Sequence, residues 1–446
     1  MSAPVVVWLR RDLRVEDHPA FAAAAAHGGP VVPLFVVDPE LVRALPSDGA
    51  LFDFQAACLA DLEAGLQRRG GGLIVRTGPP VDVVPAVARE AGAVAVIFQA
   101  DTDPYARARD AAVVRALHAQ GTRAQMLPPE LLVAPDAVAP RGGGVYRVFG
   151  AYRRAWARQV KPLPAPTPRR LHTPPLPSEP LPTAARLGKT RAPMRWAIAP
   201  GETAARHRWA AFLREGLAAY ADRRDRLDLD DATSRLSPHL RFGTIAVARL
   251  WADLQDALAD PARHRGAARF VEELAWRDFF HHLLHHVPTL AERSLRPDFD
   301  TFPWENREDL FAAWTEGRTG EPLVDAALRQ LVTTGWIPNR ARLVAASYLV
   351  KQLLVDWRWG ERFFRRYLLD GDLAANAGNW QWVAGSGVDP RPLRIFSPAR
   401  QAARFDPTGA YRRAWAPEPR EALVDAAARA AEFRARYRRW HADLRR

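Results

Sequence analysis

The chain has 446 residues, 48% of them hydrophobic and 25% charged, with a formal net charge of +13 and a single cysteine, Cys58. This length exceeds what one hydrophobic core organises, so we expect two or three domains. No apolar run approaches the roughly 20 residues that span a bilayer, and the lone cysteine excludes an intramolecular disulfide and a cysteine-built metal site. The first residues enter an apolar stretch without a basic leader, which predicts a protein of the reducing cytoplasm with no membrane association.

The excess of positive charge has two interpretations. Of the 63 basic residues only Lys161, Lys189 and Lys351 are lysines, and a composition rich in arginine and alanine can follow from GC-rich codons. A polyanionic partner such as nucleic acid would explain the charge equally well. Charge alone does not decide between them.

The first third of the chain alternates between strand and helix patterns. Short β-branched or aromatic runs lie at residues 5–9, 31–37, 73–75 and 93–98, separated by helical patterns at 51–68, 81–91 and 105–119. Strands separated by single helices predict an α/β domain with a doubly wound, Rossmann-like parallel sheet, which binds ligands at the carboxyl ends of its strands. No Gly-x-Gly-x-x-Gly follows Leu9, so the usual dinucleotide fingerprint is absent.

A proline-rich stretch separates this domain from a helical one. Nine of the 22 residues from 161 to 182 are proline, which favours a semi-rigid connector. Beyond about His207, apolar residues recur with a helical period at 206–221, 246–258, 267–286, 324–333, 341–355 and 361–369. We therefore predict an α/β domain over residues 1–130, a connector over 131–205 and an all-α domain over 206–446.

Two stretches of the helical part carry groups that suit a cofactor. Hydroxyls cluster at residues 233–237 (Thr-Ser-Arg-Leu-Ser), where they can bind a phosphate or simply cap a helix. Residues 370–382 read Asp-Gly-Asp-Leu-Ala-Ala-Asn-Ala-Gly-Asn-Trp-Gln-Trp. The two acids could hold a metal, contact a sugar hydroxyl or cap a helix, but two tryptophans after an amide-rich turn are unusual for a mere cap.

A third stretch combines stacking and charge. On a helix, Glu273, Trp276 and Arg277 share one face, and a carboxylate, an indole plane and a guanidinium together suit a base held by stacking and edge hydrogen bonds. Surface ion pairs on an amphipathic helix are the alternative. The histidine pairs that follow at 281–282 and 285–286 have metal-ligand spacing, yet no cysteine lies nearby, so we expect a packed or solvated helix face and no metal site.

In their order along the chain, these stretches resemble the class I photolyases and cryptochromes. The resemblance extends over about residues 4–415 and includes the Trp-Leu-Arg-Arg-Asp-Leu-Arg motif at 8–14, the Thr-Gly-Trp motif at 334–336 and, most specifically, the 370–382 block. It implies a class I DNA photolyase, a carbon–carbon lyase that repairs cyclobutane pyrimidine dimers with light. A cryptochrome-type blue-light photosensor is the alternative. The intact Glu273 and Trp276 pair favours repair.

The resemblance also implies the cofactor. It predicts one FAD in the helical domain, active as reduced FADH⁻. Arg342 and Asp370 are expected to form an ion pair near the flavin, and Asn376 is expected to face flavin N5. The residues that the resemblance assigns to cofactor binding are Tyr220, Thr233, Ser234, Arg235, Leu236, Ser237, Arg277, Arg342, Asp370, Gly371, Asp372 and Asn376.

The expected substrate is DNA with a pyrimidine dimer that is flipped out of the duplex; photolyases are among the named examples of this base-flipping behaviour. Glu273 is expected to hydrogen-bond the dimer and, with Asn376, to take part in catalysis. We expect a monomer without an obligate protein partner. The residues that the resemblance assigns to the dimer and its flanking phosphates are Arg224, Glu273, Trp276, Arg277, Asn339, Arg340, Trp382, Arg394 and Gln401.

Two further features follow from the resemblance. Trp380, Trp357 and Trp304 match the family's electron relay, although each alone would be read as core packing. An antenna chromophore (a deazaflavin, a folate or a second flavin) is expected at the strand ends of the α/β domain, near Asp38 and Asp101.

Overall fold

The computed structural model describes residues 2–45, 50–190, 194–418 and 420–446. Its N-terminal part contains five parallel strands in the order β3-β2-β1-β4-β5, which confirms the predicted doubly wound sheet. The strands are β1 (Val5–Leu9), β2 (Val31–Val37), β3 (Ile74–Thr77), β4 (Ala95–Gln99) and β5 (Arg123–Leu127). The edge strand β5 was not predicted, because its half-exposed, mixed polar sequence lacks the apolar run of the buried strands.

Helices cover both faces of the sheet. They are α1 (Pro19–Ala26), α2 (Pro39–Ala44), α3 (Ala50–Gln67), α4 (Pro80–Glu90) and α5 (Pro104–Ala119). Successive β1 side chains point to opposite faces. Val5 and Val7 therefore pack in a cluster with α1 and α3, while Val6 and Trp8 pack with α4 and α5. Burial on both faces explains why β1 is apolar throughout.

The connector is more structured than its composition suggests. It contains the helix α6 (Phe149–Ala157), which the sequence patterns did not predict. The α6 residues Tyr152 and Trp156 are buried in the core of the helical part, and the Trp156 indole N–H donates to the Asp278 carboxylate at 2.8 Å. Residues 161–182 form neither helix nor strand. They run back along the sheet, where the backbone N–H of Val31 donates to the His172 carbonyl at 2.8 Å.

The rest of the chain is helical, as predicted. Its helices are α7 (Glu202–Ala211), α8 (Tyr220–Arg223), α9 (Ser237–Phe242), α10 (Val247–Ala259), α11 (His264–His286), α12 (Glu308–Thr315), α13 (Pro322–Thr334), α14 (Asn339–Ser347), α15 (Trp357–Tyr367), α16 (Leu373–Ala384), α17 (Pro398–Phe405), α18 (Ala410–Trp415) and α19 (Ala426–Asp443). Single π-helical turns at Phe212–Gly216 and Tyr348–Gln352 interrupt the continuous helices expected at 206–221 and 341–355. Across the described ranges, we find no helix whose length and apolar composition would let it cross a bilayer.

The two folded parts meet through a backbone contact between the β1–α1 loop and the end of α9. Leu13 donates its N–H to the Phe242 carbonyl at 3.0 Å, and the buried Arg14 donates to the Gly243 carbonyl at 2.9 Å. Gly243 ends α9 with a left-handed φ of 63°. A Cβ at this position would overlap the Arg11 carbonyl oxygen, so only glycine permits this approach.

We therefore expect Gly243→Ala to destabilise the protein by about 3 kcal/mol or more, since a left-handed alanine and an overlap with backbone atoms add together. Gly28→Ala is the matched control: Gly28 has a similar φ of 70°, but no atom lies within 4 Å of its added Cβ. It should cost only about 1 kcal/mol. Urea unfolding of both variants measures the difference, and equal losses would mean that the domain contact tolerates a side chain.

Candidate cofactor and substrate site

A cavity of about 440 Å³ opens in the helical part and lies against the β1–α1 loop. This volume is within the range of small-molecule sites. The cavity brings together residues that are far apart in sequence. Most of the predicted cofactor and substrate residues line it: Tyr220, Arg224, Thr233, Ser234, Arg235, Leu236, Ser237, Glu273, Trp276, Arg277, Asn339, Arg340, Arg342, Asp370, Asp372 and Trp382.

The loop at 233–237 forms one wall and carries backbone strain. Arg235 has a left-handed φ of 51°, while the next residue, Leu236, is buried in the helical core. Trp336 steadies the loop, because its indole N–H donates to the Ser237 hydroxyl at 3.3 Å and its ring lies 5.0 Å from the Arg235 guanidinium carbon. Non-glycine residues in this conformation cost about 1–3 kcal/mol and cluster at ligand sites.

The ion pair between Arg342 and Asp370 forms another wall. The guanidinium donates to both carboxylate oxygens, at 3.0 and 2.8 Å, and its Nε donates to the Ile337 carbonyl at 3.0 Å. The pair is bidentate and the Asp370 side chain is only 4% exposed. This geometry fixes the orientation of both groups more firmly than a single contact would.

The second acid of the 370–382 block has a different environment. Asp372 precedes α16 and accepts from the Ala375 N–H at 3.1 Å. It forms an ion pair with Arg11, which comes from the β1–α1 loop. Burial acts to raise the pKa of Asp372, but the charge of His281, which is protonated at low pH, and the charge of Arg11 outweigh burial, so the pKa lies well below its usual range. The carboxylate is therefore ionised at neutral pH.

Asn376 and Trp380 lie in a smaller adjoining cavity of about 70 Å³ that also contacts Arg342 and Asp370. The Asn376 amide donates to the backbone carbonyl and to the carboxyl of Glu361, both at 3.0 Å. Burial raises the pKa of Glu361. Glu361 thus fixes the Asn376 amide, a role that the sequence patterns gave no reason to expect.

In the larger cavity, a carboxylate and an indole are held in place by Arg224, which the sequence analysis assigned to the substrate, and by Arg269 and Phe149, which it did not single out. Glu273 forms ion pairs with Arg224 and with Arg269, the latter at 3.0 Å. Trp276 stacks on Phe149 of α6, with ring centroids 3.6 Å apart and planes 10° apart. One face of the Trp276 indole is therefore covered by the connector, which limits ligand stacking to the other.

The cavity is electropositive. Its lining holds eight arginines but only four carboxylates, which are Asp225, Glu273, Asp370 and Asp372. Burial, together with the charge of Arg11, lowers the pKa of Arg241 to about 10, and Arg241 donates to the carbonyls of Leu368 and Leu369 at 3.1 and 3.0 Å. Such a lining suits an anionic ligand.

Comparison with known proteins agrees with this geometry. Residues 5–170 match the family model described as DNA photolyase, and residues 270–441 match the FAD binding domain of DNA photolyase. The chain is 42% identical to a protein named deoxyribodipyrimidine photo-lyase from Synechococcus, over 94% of this chain and 89% of the relative. It is also 42% identical to a protein of that name from Thermus thermophilus, over 99% of both chains. The chain belongs to the DNA photolyase family.

A solved structure extends the likeness to three dimensions. The structure described as a bacterial class III photolyase from Agrobacterium tumefaciens superposes with a TM-score of 0.91 at 34% identity, over 99% of this chain and 98% of that one. The photolyase fold is thus shared over the whole length, from the parallel sheet to the helical domain.

The helical part is an FAD-binding domain, and its cavity fits that cofactor. FAD carries two phosphates, and the lining supplies arginines in excess of acids together with the three hydroxyls of the 233–237 loop. The Arg235 Nε atom is buried and has no hydrogen-bond partner among the described residues. A buried donor of this kind is usually satisfied, so it marks a position where a ligand oxygen fits.

Five of the predicted cofactor, substrate and relay residues line neither of these two cavities. Gly371 lies between the two acids, Trp357 is buried in the helical core, and the partly buried Trp304 packs against that core. Gln401 accepts from Arg340 at 3.4 Å, and the Arg394 guanidinium lies 4.8 Å above the Trp382 ring. Gln401 and Arg394 thus each touch a residue of the larger cavity from outside.

The two acids predicted for an antenna are not together. Asp38 accepts from the Tyr105 hydroxyl at 2.6 Å, while Asp101 lines a separate, small cavity of about 40 Å³ beside Arg11. At the strand ends between them, the guanidinium carbons of Arg10 and Arg109 lie 4.5 and 5.1 Å from the buried Trp8 ring. The antenna assignment of Asp38 and Asp101 stays a prediction.

The histidine run divides into two environments. His281 and His282 are buried, and His282 Nδ1 lies 3.0 Å from the Pro135 carbonyl. His285 and His286 reach the exposed Asp136 instead, with Nε2 atoms 3.1 and 3.8 Å from one carboxylate oxygen. The inner pair is part of the core, whereas the outer pair and Asp136 could present ligand atoms to a cation.

The ion pair at the cavity wall should contribute to stability. We expect Asp370→Asn to lower the free energy of unfolding by about 2–3 kcal/mol, because Arg342 keeps its charge in a largely buried place without an anionic partner. Asp222→Asn is the matched control, since Asp222 makes a similar bidentate contact with Arg265 on the surface. It should change stability by less than about 1 kcal/mol. Urea denaturation measures the free energy of unfolding of both variants. Equal losses would mean that the Arg342–Asp370 pair contributes no more than an exposed ion pair.

Proposed function

We propose that this chain is a light-driven DNA photolyase that splits cyclobutane pyrimidine dimers. The observation that carries the proposal is that the Glu273 carboxylate and the Trp276 and Trp382 indoles line the same cavity as the proposed FAD-binding residues. A flipped-out dimer, two adjacent bases of one strand joined through a cyclobutane ring, would pack against the two indoles, while the carboxylate would accept hydrogen bonds from its polar edge.

We propose the following roles around the cofactor. Reduced FAD would supply the light-driven electron transfer that splits the dimer. Thr233, Ser234 and Ser237 would hold its phosphates, and the Arg342–Asp370 pair would lie beside the flavin ring. Asn376 is held by two hydrogen bonds to Glu361 and would face the flavin. The protein thus contributes orientation, charge and the exclusion of water.

We propose that the remaining basic groups hold DNA. Arg224 and Arg340 line the larger cavity, where Arg224 pairs with Glu273 and Arg340 pairs with Asp225. A pyrimidine dimer stacks poorly within the duplex, which lowers the cost of flipping it out. Phosphate contacts by this rim would make binding depend on salt. The residues that complete the proposed rim are Arg277, Asn339, Arg394 and Gln401.

Finer assignments stay predictions. Membership of class I rests on the sequence motifs alone, and the similar Agrobacterium structure is described as class III. A cytoplasmic monomer without an obligate protein partner and an antenna chromophore in the α/β domain also await direct tests, by sizing of the purified protein and by extraction of its chromophores.

The first test is repair itself. Purified protein should carry one FAD per chain. After reduction, it should restore the absorbance of pyrimidines in dimer-containing single-stranded DNA under blue light and not in the dark. Trp276→Ala should weaken binding of that DNA by about 1–3 kcal/mol, the usual value of one base–aromatic stack, while leaving undamaged DNA unaffected. A protein that binds FAD and responds to light but leaves dimers intact would be a cryptochrome-type photosensor instead.

The relay can be tested separately from repair. Trp380 is buried beside the FAD cavity and lies against Phe364 and Trp314, with ring centroids 4.9 and 6.2 Å apart. We propose that it passes electrons from an added thiol, by way of Trp304 and Trp357, to oxidised FAD. Trp380→Phe should therefore abolish most photoreduction of oxidised FAD, yet repair dimers normally once the flavin has been reduced with dithionite.

Trp357→Phe and Trp304→Phe should show the same separation more weakly. Trp251→Phe, in α10, is the matched control and should leave photoreduction at the wild-type rate. Wild-type photoreduction in all three relay variants would contradict the assignment. If chemically reduced Trp380→Phe fails to repair although it retains FAD, then Trp380 has a role in repair itself.

A further inference from the structure

The α/β domain reaches the FAD cavity through a buried chain of two polar contacts. Thr102 lies in the β4–α5 loop, where it is 3% exposed, and its hydroxyl is 2.7 Å from Nδ1 of His281 on α11. The other ring nitrogen, Nε2, lies 3.5 Å from an oxygen of Asp372, which lines the cavity. Thr102 itself does not line that cavity.

The chemistry of the two ends fixes the proton positions along this chain. Burial lowers the pKa of His281 to about 4, so the imidazole is neutral at pH 7 and has one donor and one acceptor nitrogen. An ionised carboxylate can only accept, so it favours the tautomer with the hydrogen on the nitrogen that faces Asp372. Nδ1 is then the acceptor, and the Thr102 hydroxyl donates to it.

The Thr102 loop is itself fixed. The Asp101 carboxylate accepts from the N–H groups of Thr102 and Asp103, at 2.7 and 3.1 Å, and lies 3.7 Å from Arg11. Arg11 in turn pairs with Asp372. Two contacts therefore run from the carboxyl ends of β1 and β4 to the same carboxylate: a charged one through Arg11 and a neutral one through His281.

We propose that Thr102 is a positioning residue for the flavin, which selects the His281 tautomer that turns its N–H toward Asp372 and so sets how tightly the domain holds FAD and how readily the flavin is reduced. The proposal rests on the proposed function only in requiring that Asp372 lies near the bound flavin. Without the Thr102 hydroxyl, His281 is free to rotate or to change tautomer. The Asp372 charge is then less well compensated, which disfavours the anionic, reduced flavin.

The test compares two matched Thr–His pairs. Thr244 contacts His239 Nδ1 at 2.8 Å; both residues are buried, and neither lines the FAD cavity. We expect Thr102→Val to weaken FAD binding about 3–10-fold, the loss expected for one hydrogen bond. It should also shift the flavin midpoint potential to more negative values. Thr102→Ser should restore both quantities, and Thr244→Val should leave both at the wild-type level.

Titration of stripped protein with FAD and an equilibrium reduction with a reference dye measure these quantities without DNA. Wild-type affinity and potential in Thr102→Val would overturn the proposal, and so would equal changes in Thr244→Val, because they would show a general effect of losing a buried hydroxyl. Absence of dimer repair in wild-type protein that binds FAD would refute the proposed function alone. Normal repair by the wild-type protein, combined with wild-type FAD affinity and midpoint potential in Thr102→Val, would refute the positioning role alone.

Discussion

The docking of the β1–α1 loop on the C-terminal end of α9 is the contact on which the site depends. It brings two backbones together at Gly243 and places Arg11 against Asp372, although 361 residues separate the two in sequence. A backbone contact without intervening side chains leaves little freedom for rotation between the two parts. The Asp372 carboxylate, the cavity lining and the strand ends of the sheet are therefore held in fixed positions relative to one another.

The arginines of the cavity are of two kinds, those that form ion pairs and those that do not. The arginines closest to acids, such as Arg342 and Arg224, are paired and serve as rigid walls. Others, such as Arg241, donate to backbone carbonyls and form no ion pair among the described residues, so Asp370 and Asp372 offset the Arg241 charge only from a distance. The paired groups give shape, while the unpaired charge gives attraction for an anion. An ordinary surface rich in arginine would attract an anion but would not provide a cavity of fixed shape.

The sequence predicted what depends on local pattern. Strands β1 and β2 are continuous apolar runs, and the 370–382 block combines acids, amides and indoles in a spacing that few folds share, so both were found. Glu361, Arg241 and Phe149 were missed, because each acts through partners on another segment of the chain and each looks like a routine helix residue by itself. The edge strand β5 and the π-helical turns were missed for a related reason, since tertiary packing and not residue preference decides them.

The stack of Phe149 on Trp276 makes the connector a part of the site. A helix from this segment covers one face of an indole that lines the cavity, and the indole N–H of Trp156, on the same helix, donates a hydrogen bond to Asp278 of α11. A fragment cut at residue 206, where the helical pattern begins, would leave that indole face and the Asp278 carboxylate bare. In a chimaera built from two photolyases of this family, the junction between the two parent sequences should therefore lie before α6, so that α6 and α11 come from the same parent.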